Sequence, residues 1–352
     1  MKKQKLCLSL LVFLLLASRP TSGTLFPAAT NFFASENAHA EDLGYLLDLD
    51  PTAVTEQDLY ERAVMLEDNY QAYHCVNGII WEARYAEAID EHPTLYETGG
   101  DSAIFTGFYL AGAVYRFVTT GSSNDLDAVF EAALGLHILT HVSGTPGVIA
   151  RCAFPAASPQ KWRYPEKWQD RIDRGYVYES PADIPDIANP SACYPVMIYY
   201  TRATRDQLTG ILYGIGIALA ELNPDDYSEE TSRTVQKVIG ILQEVIHAVW
   251  DRLESTGFVI KDHEGKTGTT AIFVSGLLKL QLLAVYRTAL EQRDGVNGEE
   301  YKCIDRLYTR AFSGAFCLND GDVSALFNRR SLLDGYYAYN LRFVRSFTIH
   351  RL

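Results

Sequence analysis

The strongest constraint on this chain is that its helical segments are of two kinds. Glu229 to Leu253 carries one apolar stripe, with Val235, Val238, Ile239, Leu242, Val245, Ile246, Val249 and Leu253 spaced by three and four. Its other face holds Glu229, Glu230, Arg233, Lys237, Glu244 and Asp251. By contrast, Ala103 to Val118, Leu208 to Leu222 and Ala271 to Tyr286 are apolar nearly all round and contain Gly107, Gly112, Gly210, Gly214, Gly216 and Gly276. A helix that is apolar on every side is buried on every side. Glycine within a helix costs about 0.5–1 kcal/mol relative to alanine, so its repeated use points to close helix–helix approach.

Helical periodicity extends over most of the rest. It covers Glu56 to Glu87, with a break near Gly78, and further helices are expected to start near Asp101, Asp125, Asp206, Glu229, Thr270, Glu299 and Ser324. Strand signals are weak, so the expectation is an all-α chain with negligible sheet. One exception runs from Ser143 to Thr204. It is rich in proline and aromatics (Trp162, Tyr164, Trp168, Tyr176, Tyr178, Tyr194, Tyr199, Tyr200), and reads as a long loop at about 144–203. So long a loop inside a domain implies a functional lid or an unrecognised element.

The buried helices also resemble one another. Ala103-Ile104-Phe105-Thr106-Gly107 recurs as Ala271-Ile272-Phe273-Val274-Ser275-Gly276, each followed by Val-Tyr-Arg at Val114-Tyr115-Arg116 and Val285-Tyr286-Arg287. Thr106-Gly107 matches Thr209-Gly210 as well. Buried and amphipathic helices in alternation imply an (α/α) toroid of helical hairpins, incomplete if its eight or nine helices are all there are. The expected organisation is a leader at 1–23 and one toroid domain at 24–352.

That leader is read from Lys2, Lys3 and Lys5, the apolar run Leu6 to Ala17, and the small and polar residues through Gly23. This is the build of a secretory signal, and the run is too short to span a bilayer. The chain is therefore expected to be secreted or periplasmic, with no stable membrane insertion after the signal is removed. The leader holds four of the 31 lysines and arginines and no acid, which takes the formal charge from −13 to about −17. So acidic a chain excludes nucleic acid and anionic membrane surfaces as natural partners. Five cysteines remain after the leader, at 75, 152, 193, 303 and 317, with neither disulfide-framework nor zinc spacing. One bridge such as Cys152–Cys193, or five unpaired thiols, both fit.

Three segments carry a resemblance. Asp101-Ser102-Ala-Ile-Phe-Thr106-Gly107-Phe-Tyr109, Gly144-Thr-Pro-Gly147-Val-Ile-Ala-Arg151 and Thr204-Arg205-Asp206-Gln207-Leu-Thr-Gly210 are similar to segments of the six-hairpin glycosidase-like superfamily. The likeness covers roughly Asp101 to Leu222. It implies a helical toroid and a carbohydrate substrate or ligand, with hydrolases and lyases among the relatives. It supplies no catalytic signature.

The candidate chemistry is therefore read from the residues. Asp101 and Asp206 each stand at the N-terminal edge of a buried helix, where an aspartate caps free amides or serves as one of two catalytic carboxyls. Arg151 and Arg205 are candidates for binding an acidic sugar. Tyr109, Tyr213, Trp162 and Trp168 are candidate sugar contacts, or core and satellite-core aromatics. His74 reads as structural. His137 and His141 have i, i+4 spacing, but no carboxylate lies near them in sequence and HExxH is absent, so no metal and no cofactor is expected. The leading expectation is a glycoside hydrolase or polysaccharide lyase. Behind it come a non-catalytic glycan-binding or envelope interaction protein and, last, a helical cyclase, for which neither an aspartate-rich cluster nor a zinc triad is visible. Oligomeric state is not legible.

Overall fold

The computed structural model describes residues 55–84, 95–96, 99–157, 165–267, 273–274, 276–316, 341 and 343–352. The leader, Trp162, Cys317 and the helix expected near Ser324 lie outside these residues. Of the described residues 64 % are helical and 10 % in strands, so the all-α class holds at the coarse level while the expectation of negligible sheet does not.

The described residues fall into two compact units. The smaller contains α1 (Glu56–Asn69), one π-turn at Tyr70–His74, and the paired β3 (Ala83–Arg84) and β4 (Leu95–Tyr96). A capping box opens α1: the Thr55 hydroxyl accepts from the Asp58 N–H at 3.1 Å, and the Asp58 carboxylate accepts from the Thr55 N–H at 2.8 Å.

The larger unit begins with a hairpin, β1 (Cys75–Val76) and β2 (Ile79–Ile80), at the break expected near Gly78 in the helical pattern. Asn77 and Gly78, at φ +52° and +74°, form the two-residue turn. Asn-Gly is a strong hairpin signal in its own right, and the helical periodicity around it masked it.

Six helices follow: α2 (Ser102–Thr120), α3 (Ser123–His141), α4 (Pro165–Asp173), α5 (Arg205–Glu221), α6 (Glu229–Ser255), and then α7 (Gly276–Asp294). An eighth, α8 (Glu299–Phe316), pairs with α7, and residues 343–351 are helical again apart from their undescribed neighbours. Helices α2, α5 and α7 run parallel in a row. Asp101 meets Gln207 at one end of the α2–α5 pair, and Tyr115 lies near Glu221 at the other. Likewise Gln281 donates to the Thr209 carbonyl and Gln292 to the Leu219 carbonyl. Glycine sets the α2–α5 spacing: a Cβ on Gly107 would overlap the Gly210 carbonyl, and one on Gly214 would overlap Gly107. Helix α3 packs against α2 and α6, and α8 against α7. The second half of the sequence repeat is structural, since Arg116 reaches Asp125 at 2.5 Å and Arg287 reaches Asp305 at 2.6 Å, each an acid of the next helix.

The first half of that repeat is not. Helix α7 starts at Gly276 rather than Thr270, and Phe273 instead sits in an isolated bridge to Val259 and is 59 % exposed.

The aromatic stretch is not a loop either. It holds a three-stranded antiparallel sheet in which β9 (Met197–Tyr200) lies between β5 (Cys152–Pro155) and β6 (Val177–Glu179). A separate hairpin joins β7 (Pro185–Asp186) to β8 (Asn189–Cys193), and α4 intervenes. Tyr199 and Tyr200 are buried here, Tyr178 stacks on Tyr199 with centroids 5.6 Å apart, and the Arg171 guanidinium lies 4.4 Å over Tyr200. These contacts make a satellite core of the kind weighed against a sugar-binding lid. Cys152 lies on the sheet and Cys193 on the separate hairpin, and no disulfide joins them.

Candidate functional site

The N-terminal ends of α2 and α5 come together, and the expected acids come with them. Asp101 occupies the N-cap position of α2, yet its carboxylate makes no capping bond. It accepts instead from Arg151 Nη2 at 2.9 Å and from Gln207 Nε2 at 3.0 Å. Arg151 Nε also donates to the Gly100 carbonyl, and the Arg151 carbonyl accepts from the Ala103 N–H at 2.9 Å, which fixes this arginine against the start of α2. On α5 the cap is Thr204, whose N–H donates to Gln207 Oε1 at 2.9 Å. Its hydroxyl lies 2.8 Å from the same oxygen and also donates to Asp206 Oδ1. Asp101, Gln207, Thr204 and Asp206 thus form one polar chain. With links of about 3 Å each, it separates the two carboxylates by no more than on the order of 10 Å.

The other expected site residues are placed differently. Arg205 is exposed at the first position of α5. Tyr109 is half-buried, two turns along α2. Tyr213 packs against Phe108 at 5.4 Å and Phe347 at 6.3 Å, and burial raises its phenol above the usual range, as in a helix-packing core. Trp168 falls within α4. Next to the cluster, Arg202 adopts a left-handed backbone, φ +66°, with its guanidinium 4.5 Å over Tyr176. A non-glycine residue held there costs on the order of 1 kcal/mol or more and persists only where its surroundings dictate it.

A second constellation was not foreseen. His137 and His141 lie one turn apart near the end of α3, their rings stacked at 4.0 Å and 9°. Helix α6 supplies the carboxylate absent from their sequence neighbourhood. Glu244 Oε2 is 2.7 Å from His137 Nε2, and Oε1 is 3.2 Å from His141 Nε2. The histidines are 4 % and 7 % exposed, while the glutamate side chain is 46 % exposed. The three ligand atoms lie within 4.8 Å of one another, the one such His/Cys/acid cluster among the described residues. Burial lowers the His137 imidazole against the pull of Glu244. For Glu244 burial works upward, but the hydrogen bonds and charges of the two histidines outweigh it and hold the carboxyl well below the usual carboxylate range. The ion pair and the lowered imidazole point opposite ways for His137, and its near-complete burial favours the neutral ring.

No protein-family model, curated protein or solved structure matches the chain. Function therefore rests on the geometry of these two clusters. Among the described residues, no helix is long and apolar enough to cross a membrane.

Proposed function

We propose that this chain is an exported carbohydrate-active enzyme, a glycoside hydrolase or polysaccharide lyase of the six-hairpin kind, built on an (α/α) toroid. Its cleft lies where the N-terminal ends of α2 and α5 meet. The observation carrying this reading is the polar chain from Asp101 through Gln207 and Thr204 to Asp206, with Arg151 bound to its first carboxylate. Two carboxyls on one such chain suit a pair in which one gives and the other takes a proton, about 6.5–9.5 Å apart for inversion and about 5–5.5 Å for retention. The parallel row α2, α5, α7 supports the toroid, because parallel inner helices bring their N-terminal ends to one face. Arg151 provides a planar fork for an acidic sugar once its bond to Asp101 is exchanged. The leader at 1–23 supports export.

A second reading has its own support. The Asp101 carboxylate is already satisfied by two donors, which suits a rigid glycan-binding surface as well as it suits catalysis. Kinetics separate the two. Asp101→Asn and Asp206→Asn, each checked for unchanged melting, should lower turnover of a neutral or uronate oligosaccharide by about 10²–10⁴-fold if the pair does acid–base work. Turnover that survives both substitutions sinks the enzymatic assignment at these residues. Binding without turnover in the unaltered chain establishes the alternative.

A further inference from the structure

We propose that His137, His141 and Glu244 form a binding site for a zinc-like divalent cation, distinct from the carboxylate cluster at the helix starts. His141 Nδ1 lies 3.0 Å from the His137 carbonyl, an acceptor that can only be met by Nδ1–H. The Thr140 hydroxyl, also 3.0 Å from that nitrogen, has its own acceptor in the Leu136 carbonyl at 2.9 Å. With a proton on Nδ1, the ring can present its Nε2 lone pair toward Glu244 Oε1. That nitrogen is buried and lies 3.2 Å from the carboxylate oxygen. A buried imidazole nitrogen this close to a carboxylate calls for a positive charge between them, which a proton on Nε2 or a metal ion supplies. The gathering of three donor atoms within 4.8 Å of one another favours the metal ion.

The remaining features fit the same occupant. His137 Nδ1 is 3.2 Å from the Tyr194 hydroxyl, so a ring coordinating through Nε2 can place its proton on Nδ1 and hand it to that oxygen. Outer partners of this sort set tautomer and ring orientation in metal sites. Helix α3 ends at His141, and the negative end of its dipole favours a cation. Two imidazoles and one carboxylate are the donor set of catalytic zinc sites, with a fourth position left for water or substrate. Ligand atoms around tetrahedral zinc lie roughly 3.3 Å apart. Glu244 would withdraw from His137 by about half an ångström, and the two imidazole nitrogens, which lie within 4.8 Å of each other, would settle to the same spacing. That exposure also gives the ion a way in.

The test uses the purified chain stripped by a chelator and titrated with Zn²⁺ calorimetrically, then with Co²⁺ by visible absorption. One Zn²⁺ per chain is expected, with the intense bands of tetrahedral Co²⁺. Glu244→Gln and His141→Ala should each weaken Zn²⁺ binding by at least about 10–100-fold, and Tyr194→Phe by about tenfold. Glu254→Gln, an exposed acid on the same helix, should leave binding unchanged. Glu244→Gln alters a half-exposed side chain and tests the site even if the histidine variant unfolds. No saturable binding, or binding that Glu244→Gln leaves intact, overturns the proposal; the latter assigns the ion to cysteines or other acids. Loss of this site leaves the glycan reading standing, because the two tests share no residue.

Discussion

At the scale of single residues, environment decides what each functional group can do. Cys152 is fully buried on β5, and that burial pushes its thiol up to about 12. Cys193 and Cys303 are exposed. Iodoacetamide near pH 8 should therefore alkylate Cys193 and Cys303 in the native protein but reach Cys152 only after denaturation, because the thiolate is the reacting species. Peptide mapping that finds Cys152 modified as fast as the other two, or linked to Cys193, contradicts the fold of the sheet. The same dependence explains His141. Its spacing from His137 was legible, but its meaning turned on a carbonyl and a glutamate that no local pattern reveals. For Asp101, position indicated a cap or a catalytic carboxyl; the folded chain makes no capping bond with it and directs its carboxylate to Arg151 and Gln207.

At the scale of helices, glycine is used in two ways. Gly107 is buried in the α2–α5 contact, where an added Cβ would overlap the Gly210 backbone, which cannot move aside without shifting the helix. Gly112, five residues on, is exposed with nothing near an added Cβ. Gly107→Ala should cost about 1–3 kcal/mol by overpacking. Gly112→Ala should gain about 0.5–1 kcal/mol through helix propensity. Urea unfolding of both variants checks the pair, and equal effects would mean that α2 and α5 do not touch along this face. The glycine pattern made close approach legible in advance, though not which helices approach. The Glu229 start of α6 was also readable, from its stripe of apolar residues and its acidic first turn. Aromatic and β-branched residues of Met197 to Tyr200 became a strand only because Cys152 to Pro155 and Val177 to Glu179 lay ready on either side.

At the scale of the molecule, the proposed zinc site ties α3 to α6, since α3 brings both histidines and α6 the carboxylate. An ion that binds only the folded arrangement stabilises it by mass action, by about 2.7 kcal/mol when free Zn²⁺ is a hundred times its dissociation constant. A melting transition raised by several degrees is expected for the unaltered chain and no rise for Glu244→Gln. Equal shifts in both would place the stabilising ion elsewhere.

Local sequence determined what depends on neighbours a few residues apart. Helical periodicity, the all-round apolar character of α2 and α5, the amphipathic stripe of α6 and the glycines that permit close approach all follow from spacing within one turn or two. So does the presence of acids at the starts of buried helices. Tertiary structure decided whatever requires distant segments to meet. Glu244 lies more than a hundred residues from His137, and Gln207 a similar distance from Asp101, so neither pairing has a sequence period to announce it. The sheet within the aromatic stretch has the same origin, because strands are stabilised by partners whereas a helix closes its hydrogen bonds within itself.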